Sequence, residues 1–380
     1  MNYRNFKTVK ERREALGQEL HTDFSHIGSF TLDEATASTR NCENMIGAAQ
    51  VPLGVAGPLK IAGKAYYIPL ATTEGALVAS VNRGCKAITA SGGAIVDSHA
   101  EGATRGPVFR VKNLEESKKL YTFVHSHFAE LRQVAEKTSH HVALKKFSSS
   151  GAGKYRYMRF VFDTQDAMGL NMVTIATDAI VSYIKEKIGV SCLSLSGNYC
   201  VDKKPSWQNI INTRGIAVWA EVTIAQHVIA DVLKTTAQKV YDVWLAKCMI
   251  GSAMSGSMAF NAQYANIVAA VFLATGQDIA HVIEGGLGVT TAEVIGNDLF
   301  MSVYLPDLMV GTVGGGTGLA TQKEALSMLG VAGGNSGKNS QKFAEIIGAA
   351  VLAGEISLLS SLEEGSLAKS HARLGRGQTL

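Results

Sequence analysis

The chain has 380 residues, of which 46% are hydrophobic and 18% charged, and its formal net charge is +4. These values predict two folded domains with room for a small third region. They exclude a disordered chain and give no reason to expect nucleic acid as a partner, although a mild positive charge suits an anionic small molecule.

The first hundred residues divide into two parts. Residues 1–35 predict a short charged helix and a connector, and the opening MNYRNFKTVKERREALGQEL lacks the apolar core of a signal peptide or membrane anchor. Residues 36–105 are rich in Gly and Ala. Within them PLGVAGPL (52–59) indicates a turn, and the following KIAGKAYYIPLATT is strand-like.

Residues 106–195 change in character. PVFRVKN and YRYMRFVFDT alternate apolar and polar residues as strands do, and SKKLYTFVHSHFAELRQVAEKT between them has helical spacing. A helix in NMVTIATDAIVSYIKEKIG completes the unit. We therefore predict a separate α+β unit of residues 106–195, inserted into a domain formed by 36–105 and the mostly helical 206–380. Residues 196–205 form the connecting loop.

The segment from Cys248 to Gln277 has no charged residue before Asp278 and is long enough to span a bilayer. It contains six polar residues that lipid would leave largely unpaired, namely Ser252, Ser255, Ser257, Asn261, Gln263 and Asn266. We therefore expect a buried helix rich in small residues. The five cysteines are odd in number and lack C-x-x-C spacing, which excludes a disulfide framework and a structural zinc site and favours reduced thiols in a cytoplasm.

Polar residues interrupt otherwise apolar sequence at four places. Glu74 precedes a small-residue helix, Lys203 lies in the loop sequence DKK, Asp278 ends the uncharged segment, and His371 follows a long helical pattern. Each has an ordinary structural explanation, because acids favour helix N-termini, cations favour C-termini, and DKK suits a solvated turn. None identifies a site by itself.

The glycine-rich run GTVGGGTG (311–318) is the obvious candidate for a nucleotide-binding loop. It does not fit G-x-G-x-x-G, no acidic residue follows at the expected distance, and no Lys-Ser/Thr follows as in a Walker A loop. It remains a candidate surface of backbone amides for a phosphate or carboxamide.

Taken together, these segments resemble the catalytic portion of 3-hydroxy-3-methylglutaryl-coenzyme A (HMG-CoA) reductases. The resemblance runs from CENMIGAAQVPLGVAGPL to KSHARLGR and includes TTEGALVASVNRGC, DAMGLNMV, SGNYCVDKKP, GSAMSGS, GQDIAH and GTVGGGTG, in the same order. GVAGPL and SHARLGR resemble the class I branch. Eukaryotic class I members carry a membrane anchor ahead of this region, so the chain resembles a prokaryotic member without an anchor, or the catalytic portion of a longer protein.

The resemblance implies an α+β fold. A large domain around a long central helix would hold HMG-CoA, a small inserted ferredoxin-like domain would bind the dinucleotide, and a small helical region would stand at the N-terminus. The active site would lie between two subunits, so at least a homodimer is expected. The implied reaction is the four-electron reduction of HMG-CoA to mevalonate and free CoA with two NADPH and no metal, in the mevalonate route to isoprenoids.

The same resemblance implies residue roles. Lys203 matches the lysine that stabilises the oxyanion, Asp278 the aspartate that pairs with it, and Glu74 the neighbouring glutamate, whose pKa a close carboxylate would raise. Either Glu74 or Lys203 could be the final proton donor. His371 matches the histidine that protonates the departing CoA thiolate.

Further positions match binding residues of the family. Those that match substrate contacts are Arg105, Ser196, Lys204 and Lys247 around the HMG carboxylate, Asn266 near the reacting carbonyl, and Ser80, Asn82, Arg83 and Lys234 for CoA. Those that match cofactor contacts are Ser126, His127, Asp166, Met168, Gly169, Asn171, Gly314, Gly315, Gly316 and Arg376.

The chain departs from the family pattern at the cofactor. The family often has Ser-Arg where this chain has Ser126-His127, and that arginine would grip the 2′-phosphate of NADPH. Arg376 could compensate for the weaker histidine. Gly377 replaces the regulatory serine of animal enzymes, so we expect no control by phosphorylation there, and Ala76 replaces a cysteine without consequence.

Two alternatives remain open. A catalytically silent acyl-CoA sensor would lack one of the four catalytic residues, and all four are present. An enzyme of the same fold could instead oxidise mevalonate with NAD, and His127 in place of arginine keeps that reading open.

Overall fold

The computed structural model describes residues 5–365, apart from the side chain of Glu364. The helices in this range are α1 (Val9–Leu20), α2 (Glu34–Arg40), α3 (Leu77–Ala90), α4 (Leu114–Ser126), α5 (Phe128–Glu136), α6 (Leu170–Ile188), α7 (Trp207–Asn212), α8 (Gln226–Val228), α9 (Ala237–Trp244), α10 (Ser252–Ser255), α11 (Tyr264–Thr275), α12 (Val282–Gly285), α13 (Ala320–Met328) and α14 (Lys338–Glu364). Short π-helical segments follow α8 and α9, and 3₁₀ turns lie at Ile279–His281 and Gly315–Gly318.

The strands are β1 (Leu53–Ile61), β2 (Lys64–Ala71), β3 (Ile95–Arg105), β4 (Val108–Arg110), β5 (Ala143–Ala152), β6 (Tyr155–Asp163), β7 (Cys192–Ser194), β8 (Arg214–Ile224), β9 (Val289–Ile295) and β10 (Asp298–Leu308). β1 and β2 form an antiparallel pair. The others form one sheet of eight strands in the order β7-β4-β6-β3-β8-β10-β9, with β5 paired to β6.

β3 connects the two halves of this sheet. Its first part pairs with β8, beginning with Ile95 opposite Glu221, and its last three residues pair with β6, ending with Arg105 opposite Phe160. A single strand therefore joins two separately packed layers, and a residue at its end lies where they meet.

The two layers have distinct hydrophobic cores. The larger core lies among α3, α11, α14 and the strands β1, β2, β8 and β10. The smaller core lies among α4, α5, α6 and the strands β4, β5 and β6. Met309, which directly follows β10, also packs into this core. The smaller layer contains the helices and strands predicted for the inserted unit together with the additional strand β5, and the α+β class is confirmed.

Local sequence explains several element boundaries. α1 begins with a capping box, because the Thr8 hydroxyl accepts from the Glu11 backbone N–H while the Glu11 carboxylate accepts from Thr8. α6 is flanked by Gly169 and Gly189, with φ values of 80° and 75°. This left-handed region favours glycine, so the sequence itself limits the helix.

α14 is the long central helix that the family resemblance implies. Among residues 5–365, only this helix, over Lys338–Glu363, is long and apolar enough to cross a membrane, and 89% of its apolar window is buried within the protein. A Cβ on Gly84 of α3 would lie 1.9 Å from the Ala353 carbonyl oxygen. The backbones of α3 and α14 therefore touch, and glycine is required at that position.

One sequence-based expectation is wrong. The uncharged run from Cys248 to Gln277 is not one helix, because Gly256 adopts a left-handed conformation with φ 69° and ends α10; a loop then leads to α11. The described part of 206–380 is mostly helical as predicted, but the sequence analysis missed its long strands β8, β9 and β10, and it also missed the polar strand β5. The abundance of Gly and Ala in 206–380 hid these strands, while β5 (ALKKFSSSGA) lacks an apolar alternation that would reveal it.

Candidate active site

The centre of the candidate site is an ion pair between two elements. Lys203 lies in the loop before α7 with a left-handed φ of 57°, and its Nζ is 2.7 Å from Asp278 Oδ2. Asp278 also caps the 3₁₀ turn after α11, since its Oδ1 accepts from the Ala280 N–H. The side chains of Lys203 and Asp278 are 37% and 34% exposed, so a ligand can reach them.

The Asp278 carboxylate is held in its charged form. Partial burial raises its pKa, but the hydrogen bond from Lys203, the backbone N–H of Ala280 and the proximity of His281 outweigh burial and lower the pKa below its ordinary value. The ion pair is consequently maintained throughout the neutral range.

Buried polar groups anchor four consecutive residues of the Lys203 loop. The carbonyl oxygens of Cys200 and Val201 accept from Thr104 Oγ1 and Asn209 Nδ2, both at 3.0 Å. The Asp202 carboxylate accepts from Arg214 Nη2 at 2.8 Å, and the Lys203 backbone N–H donates to Glu284 Oε1. These hydrogen bonds hold a loop in which Val201 and Lys203 both have positive φ.

Arg214 is the hub of this buried cluster. Its Nε donates to Thr104 Oγ1 at 2.8 Å, Nη1 to Glu284 at 3.0 Å and Nη2 to Asp202 at 2.8 Å. Behind it, burial raises the pKa of Asp307 to about 8, even though Arg214 acts to lower that pKa. Sequence reasoning missed Arg214, Glu284 and Asp307; the signal available was a single charge in each of three apolar stretches, RGIAVWA, VIEGGLG and VYLPDLMV.

The atoms of Asp202, His281 and Glu284 lie close enough together to suggest a metal site. The Arg214 guanidinium, however, donates to both Asp202 and Glu284 and supplies the positive charge that an ion would bring. These carboxylates are therefore arranged around arginine.

Two predicted substrate residues line one surface pocket. Lys247 and Asn266 are exposed and contribute to an open cavity of about 510 Å³ that also includes Ser252, Ser255 and Asn261. The wall of this cavity is fixed by the buried Glu355 of α14, which accepts from the backbone N–H groups of Ala262 and Gln263 at 2.8 and 2.7 Å. The pocket offers an ammonium, hydroxyls and amides, which suit a carboxylate ligand.

The other predicted substrate residues near the loop are placed separately. The Lys204 ammonium donates to the Asp202 carbonyl oxygen at 3.0 Å, and the Ser196 backbone N–H donates to Ser194 Oγ at 3.2 Å. The Arg105 guanidinium, at the end of β3, donates to Thr174 Oγ1 of α6. Arg105 therefore lies where the two layers meet.

Glu74 is not brought to Lys203 within one chain. It is exposed in the turn before α3, where its backbone N–H donates to Thr72 Oγ1 at 3.0 Å. Among residues 5–365, no hydrogen bond or ion pair joins its carboxylate to Lys203 or Asp278. The predicted crowding of Glu74 against Asp278 does not occur between these residues of a single chain.

Most predicted CoA residues make contacts inside the large layer. Ser80 and Arg83 donate to Ser357 of α14, both at 3.1 Å, and Asn82 Oδ1 accepts from the Gly57 N–H at 3.0 Å. These bonds attach α3 to α14 and β1. Lys234 is exposed after the π-helical turn that follows α8, with φ 60°.

The predicted dinucleotide loop adjoins the glycine-rich run. The Asp166 carbonyl oxygen accepts from the Thr312 N–H at 2.8 Å, and Ala167 forms a β-bridge with Val313. Met168 is half-buried, Asn171 is exposed on the first turn of α6, and a Cβ on Gly169 would lie 2.4 Å from Thr164 Cγ2. The structure thus brings the DAMGLN and GTVGGGTG segments together.

Asp166 itself has a structural contact that the sequence did not show. Its carboxylate accepts from the backbone N–H groups of Asn335, Gly337 and Ser340 at the N-terminus of α14. Burial raises the pKa of Asp166, but these backbone donors outweigh it and lower the pKa. Asp166 therefore caps the central helix.

Ser126 and His127 lie at the junction of α4 and α5. Ser126 is exposed, and the His127 ring stacks on Phe123 with ring centroids 4.3 Å apart. His127 Nδ1 lies 3.1 Å from the Phe123 carbonyl oxygen, which makes that nitrogen the donor and leaves Nε2 for a ligand. His371 and Arg376 lie outside the described residues.

Comparisons with known proteins agree with these motifs. The family model of hydroxymethylglutaryl-coenzyme A reductase matches residues 8–376. A 3-hydroxy-3-methylglutaryl-coenzyme A reductase of Methanocaldococcus jannaschii is 51% identical over 375 residues, covering 96% of this chain and 92% of that protein. One of Methanothermobacter thermautotrophicus is 48% identical over 376 residues, covering 98% and 94%.

The fold is also known. A class II 3-hydroxy-3-methylglutaryl-CoA reductase from Streptococcus pneumoniae, solved bound to NADPH, superposes with a TM-score of 0.70 at 20% sequence identity, covering 94% of this chain and 97% of that one. The likeness confirms the architecture of two packed layers around a central helix.

Proposed function

Because the chain belongs to the hydroxymethylglutaryl-coenzyme A reductase family, an NADPH-dependent oxidoreductase family, we propose that its reduction of HMG-CoA to mevalonate takes place around Lys203 and Asp278. The observation that carries this proposal is the 2.7 Å ion pair between their side chains, which is reachable from solvent and anchored from below by buried groups. A fixed cation at the edge of a cleft is what a thioester reduction needs, because negative charge develops on the carbonyl oxygen.

Each residue of the proposed site then has a specific role. Lys203 stabilises the oxyanion, and Asp278 holds the lysine in place. The pocket of Lys247 and Asn266 takes the free carboxylate and the reacting end of the HMG group. His371 protonates the CoA thiolate, so that the thiolate cannot add back to the aldehyde. Glu74 or Lys203 delivers the last proton.

The glycine-rich turn fits the expected cofactor. Gly314 and Gly315 are exposed with φ values of 79° and 54°, and a Cβ on either would meet open space, so their backbone N–H groups are accessible to a ligand. Bound NADPH supplies the hydrides. This turn, the adjoining Asn171, and Ser126 with His127 would hold it, while Asp166 supports them through its cap on α14.

We place the working site between two copies of the chain, in a homodimer or a larger oligomer. Glu74 lies apart from Lys203 within one chain, so its carboxylate must come from a second copy to act there. Four large apolar side chains next to the Lys203 and Asp278 loops are exposed, namely Trp207, Ile211, Ile279 and Ile283. Such a patch beside a charged site suits a subunit interface.

The class I branch and a cytoplasmic location belong to the same proposal. GVAGPL and SHARLGR support class I, and relatives of archaeal origin that are about half identical over nearly the whole chain support a protein without an anchor.

Mixing inactive variants tests the shared site. Lys203→Ala and Glu74→Gln should each be nearly inactive with HMG-CoA and NADPH, while a refolded equal mixture should regain up to about a quarter of wild-type activity through hybrid dimers. The matched control mixes Lys203→Ala with Asp278→Asn. It should regain nothing, because those side chains pair within one chain. A fully active monomer in ultracentrifugation would contradict the proposal.

A further inference from the structure

Two carboxylates bind Lys203, one at its backbone N–H and one at its ammonium. Its backbone N–H donates to the fully buried Glu284, and its ammonium pairs with Asp278 at 2.7 Å. The position of the ammonium therefore depends on how these two carboxylates are held relative to each other.

The imidazole of His281 lies between the two carboxylates. The ring is fully buried, with Nδ1 3.3 Å from Glu284 Oε1 and Nε2 3.8 Å from Asp278 Oδ2. Nε2 is also 3.8 Å from Asp202 Oδ1, and it has no hydrogen-bond partner among residues 5–365. A buried polar atom without a partner, aimed at two carboxylates, needs a reason.

The surrounding charges supply one. Three carboxylates face the ring, from Asp202, Asp278 and Glu284, and the cations packed against them are Lys203 and Arg214. Behind Arg214, outside the groups that face the ring, lie Asp307, whose pKa burial raises to about 8, and the cation Arg159, which interacts with both. The immediate shell therefore has one negative charge in excess, which a protonated imidazole would balance.

We propose that His281 is a positioning residue for the reduction: its protonated ring ties Glu284 to Asp278 and thereby fixes the ammonium of Lys203. In the neutral ring Nδ1–H donates to Glu284, and the lone pair of Nε2 faces Asp278 and Asp202. Protonation converts Nε2 into a donor toward those two carboxylates. A shift of under 1 Å would bring Nε2 from 3.8 Å to hydrogen-bond distance of Asp278.

The inference rests on the proposed role of Lys203 as oxyanion partner. A role for His281 also makes the position of the Lys203 ammonium depend on pH. Loss of the ring proton at high pH would remove a donor from Asp278, so the rate should fall as pH rises.

The test compares His281→Leu and His281→Gln with wild type, with His227→Gln, an exposed histidine, as matched control. The measurements are kcat and KM for HMG-CoA and for mevaldehyde between about pH 5.5 and 9, together with thermal melts. Mevaldehyde reduction bypasses thiolate protonation, so its pH profile is free of the titration assigned to His371.

We expect His281→Leu to lower kcat about 10- to 100-fold in both reactions with KM within about threefold, because a misplaced ammonium weakens transition-state stabilisation more than binding. His281→Gln keeps an uncharged donor and should recover most of kcat, with a pH profile for mevaldehyde reduction that is flatter than that of wild type. His227→Gln should match wild type.

Wild-type kcat and pH profile in both His281 variants would overturn the inference. If the leucine variant does not fold, the glutamine variant decides alone, and an unchanged pH profile there overturns it. Lys203→Ala, assayed in parallel, distinguishes failure of the proposed function from failure of the role of His281. Activity retained without Lys203 would refute the proposed function, whereas loss in Lys203→Ala beside wild-type His281 variants would refute only the role of His281.

Discussion

The guanidinium of Arg214 lies 3.0 Å from the Glu284 carboxylate, and both side chains are fully buried. The pair joins β8 to α12 directly beneath the Lys203 loop. A buried ion pair adds little net stability, but removing one partner leaves an uncompensated buried charge. The pair is therefore best understood as a scaffold for the loop.

Replacing Arg214 should lower both the free energy of unfolding and kcat, for two different reasons. Arg214→Met should lower the free energy of unfolding by about 3–5 kcal/mol, and Arg214→Lys should also reduce kcat because a single ammonium cannot reach Thr104, Asp202 and Glu284 together. Urea unfolding and kcat measure the two effects.

The double variant Arg214→Met, Glu284→Leu serves as the control. It should regain part of the lost stability, since Glu284 is no longer an uncompensated buried charge, whereas Asp202 still lacks its partner. It should not regain kcat, because the Lys203 N–H loses its acceptor. A double variant with wild-type kcat would show that this scaffold does not position the loop.

Asp166 should contribute to stability through the cap on α14. Its folded-state pKa is depressed, so its contribution is complete above the unfolded value of about 3.9 and is lost as pH falls through the lower folded value. Asp166→Asn should cost about 1–2 kcal/mol at pH 7, with a constant difference down to about pH 5 and a shrinking one in more acidic solution.

Urea unfolding of both proteins between pH 7 and 3 measures this difference. Asp33→Asn is a matched control, because Asp33 caps the short α2 from an exposed position by accepting from the Thr36 N–H. Its effect should be smaller. Equal effects at the two caps would mean that burial and the additional backbone donors at Asp166 add nothing.

His127 should make the choice of cofactor depend on pH. The 2′-phosphate of NADPH adds nearly two negative charges, and only the Nε2 side of His127 is open to meet them, since Nδ1 faces the Phe123 carbonyl oxygen. NADPH should be preferred over NADH, by a ratio of kcat/KM that widens as pH falls, because an imidazolium attracts the phosphate more strongly than a neutral ring does. His127→Arg should sharpen the preference at high pH and flatten its pH dependence.

The measurement is the ratio of kcat/KM for NADPH over NADH between about pH 6 and 8.5, in wild type, His127→Arg and Arg376→Ala. A wild-type ratio near one that neither substitution changes would show that neither His127 nor Arg376 recognises the 2′-phosphate. It would also reopen oxidative mevalonate degradation with NAD, which assays in both directions would detect.

Much of this protein follows from short stretches of sequence. The motifs that identified the family, the α+β class, and the helix and strand around DAMGLN depend on neighbours within a few residues, where capping, turn chemistry and hydrophobic periodicity act. Even so, the single helix expected for the uncharged run was wrong, because one glycine at position 256 adopted a left-handed conformation.

The family motifs alone group Lys203 with Asp278, and the structure shows their side chains in contact. The groups that hold these two residues in place follow only from the packing of distant segments. Thr104, Arg214 and Glu284 come from β3, β8 and α12, and no local rule predicts which buried charges meet across such separations. Burial makes that pairing obligatory, because a charge removed from water must find a partner, and the partner is chosen by the packing of the whole chain.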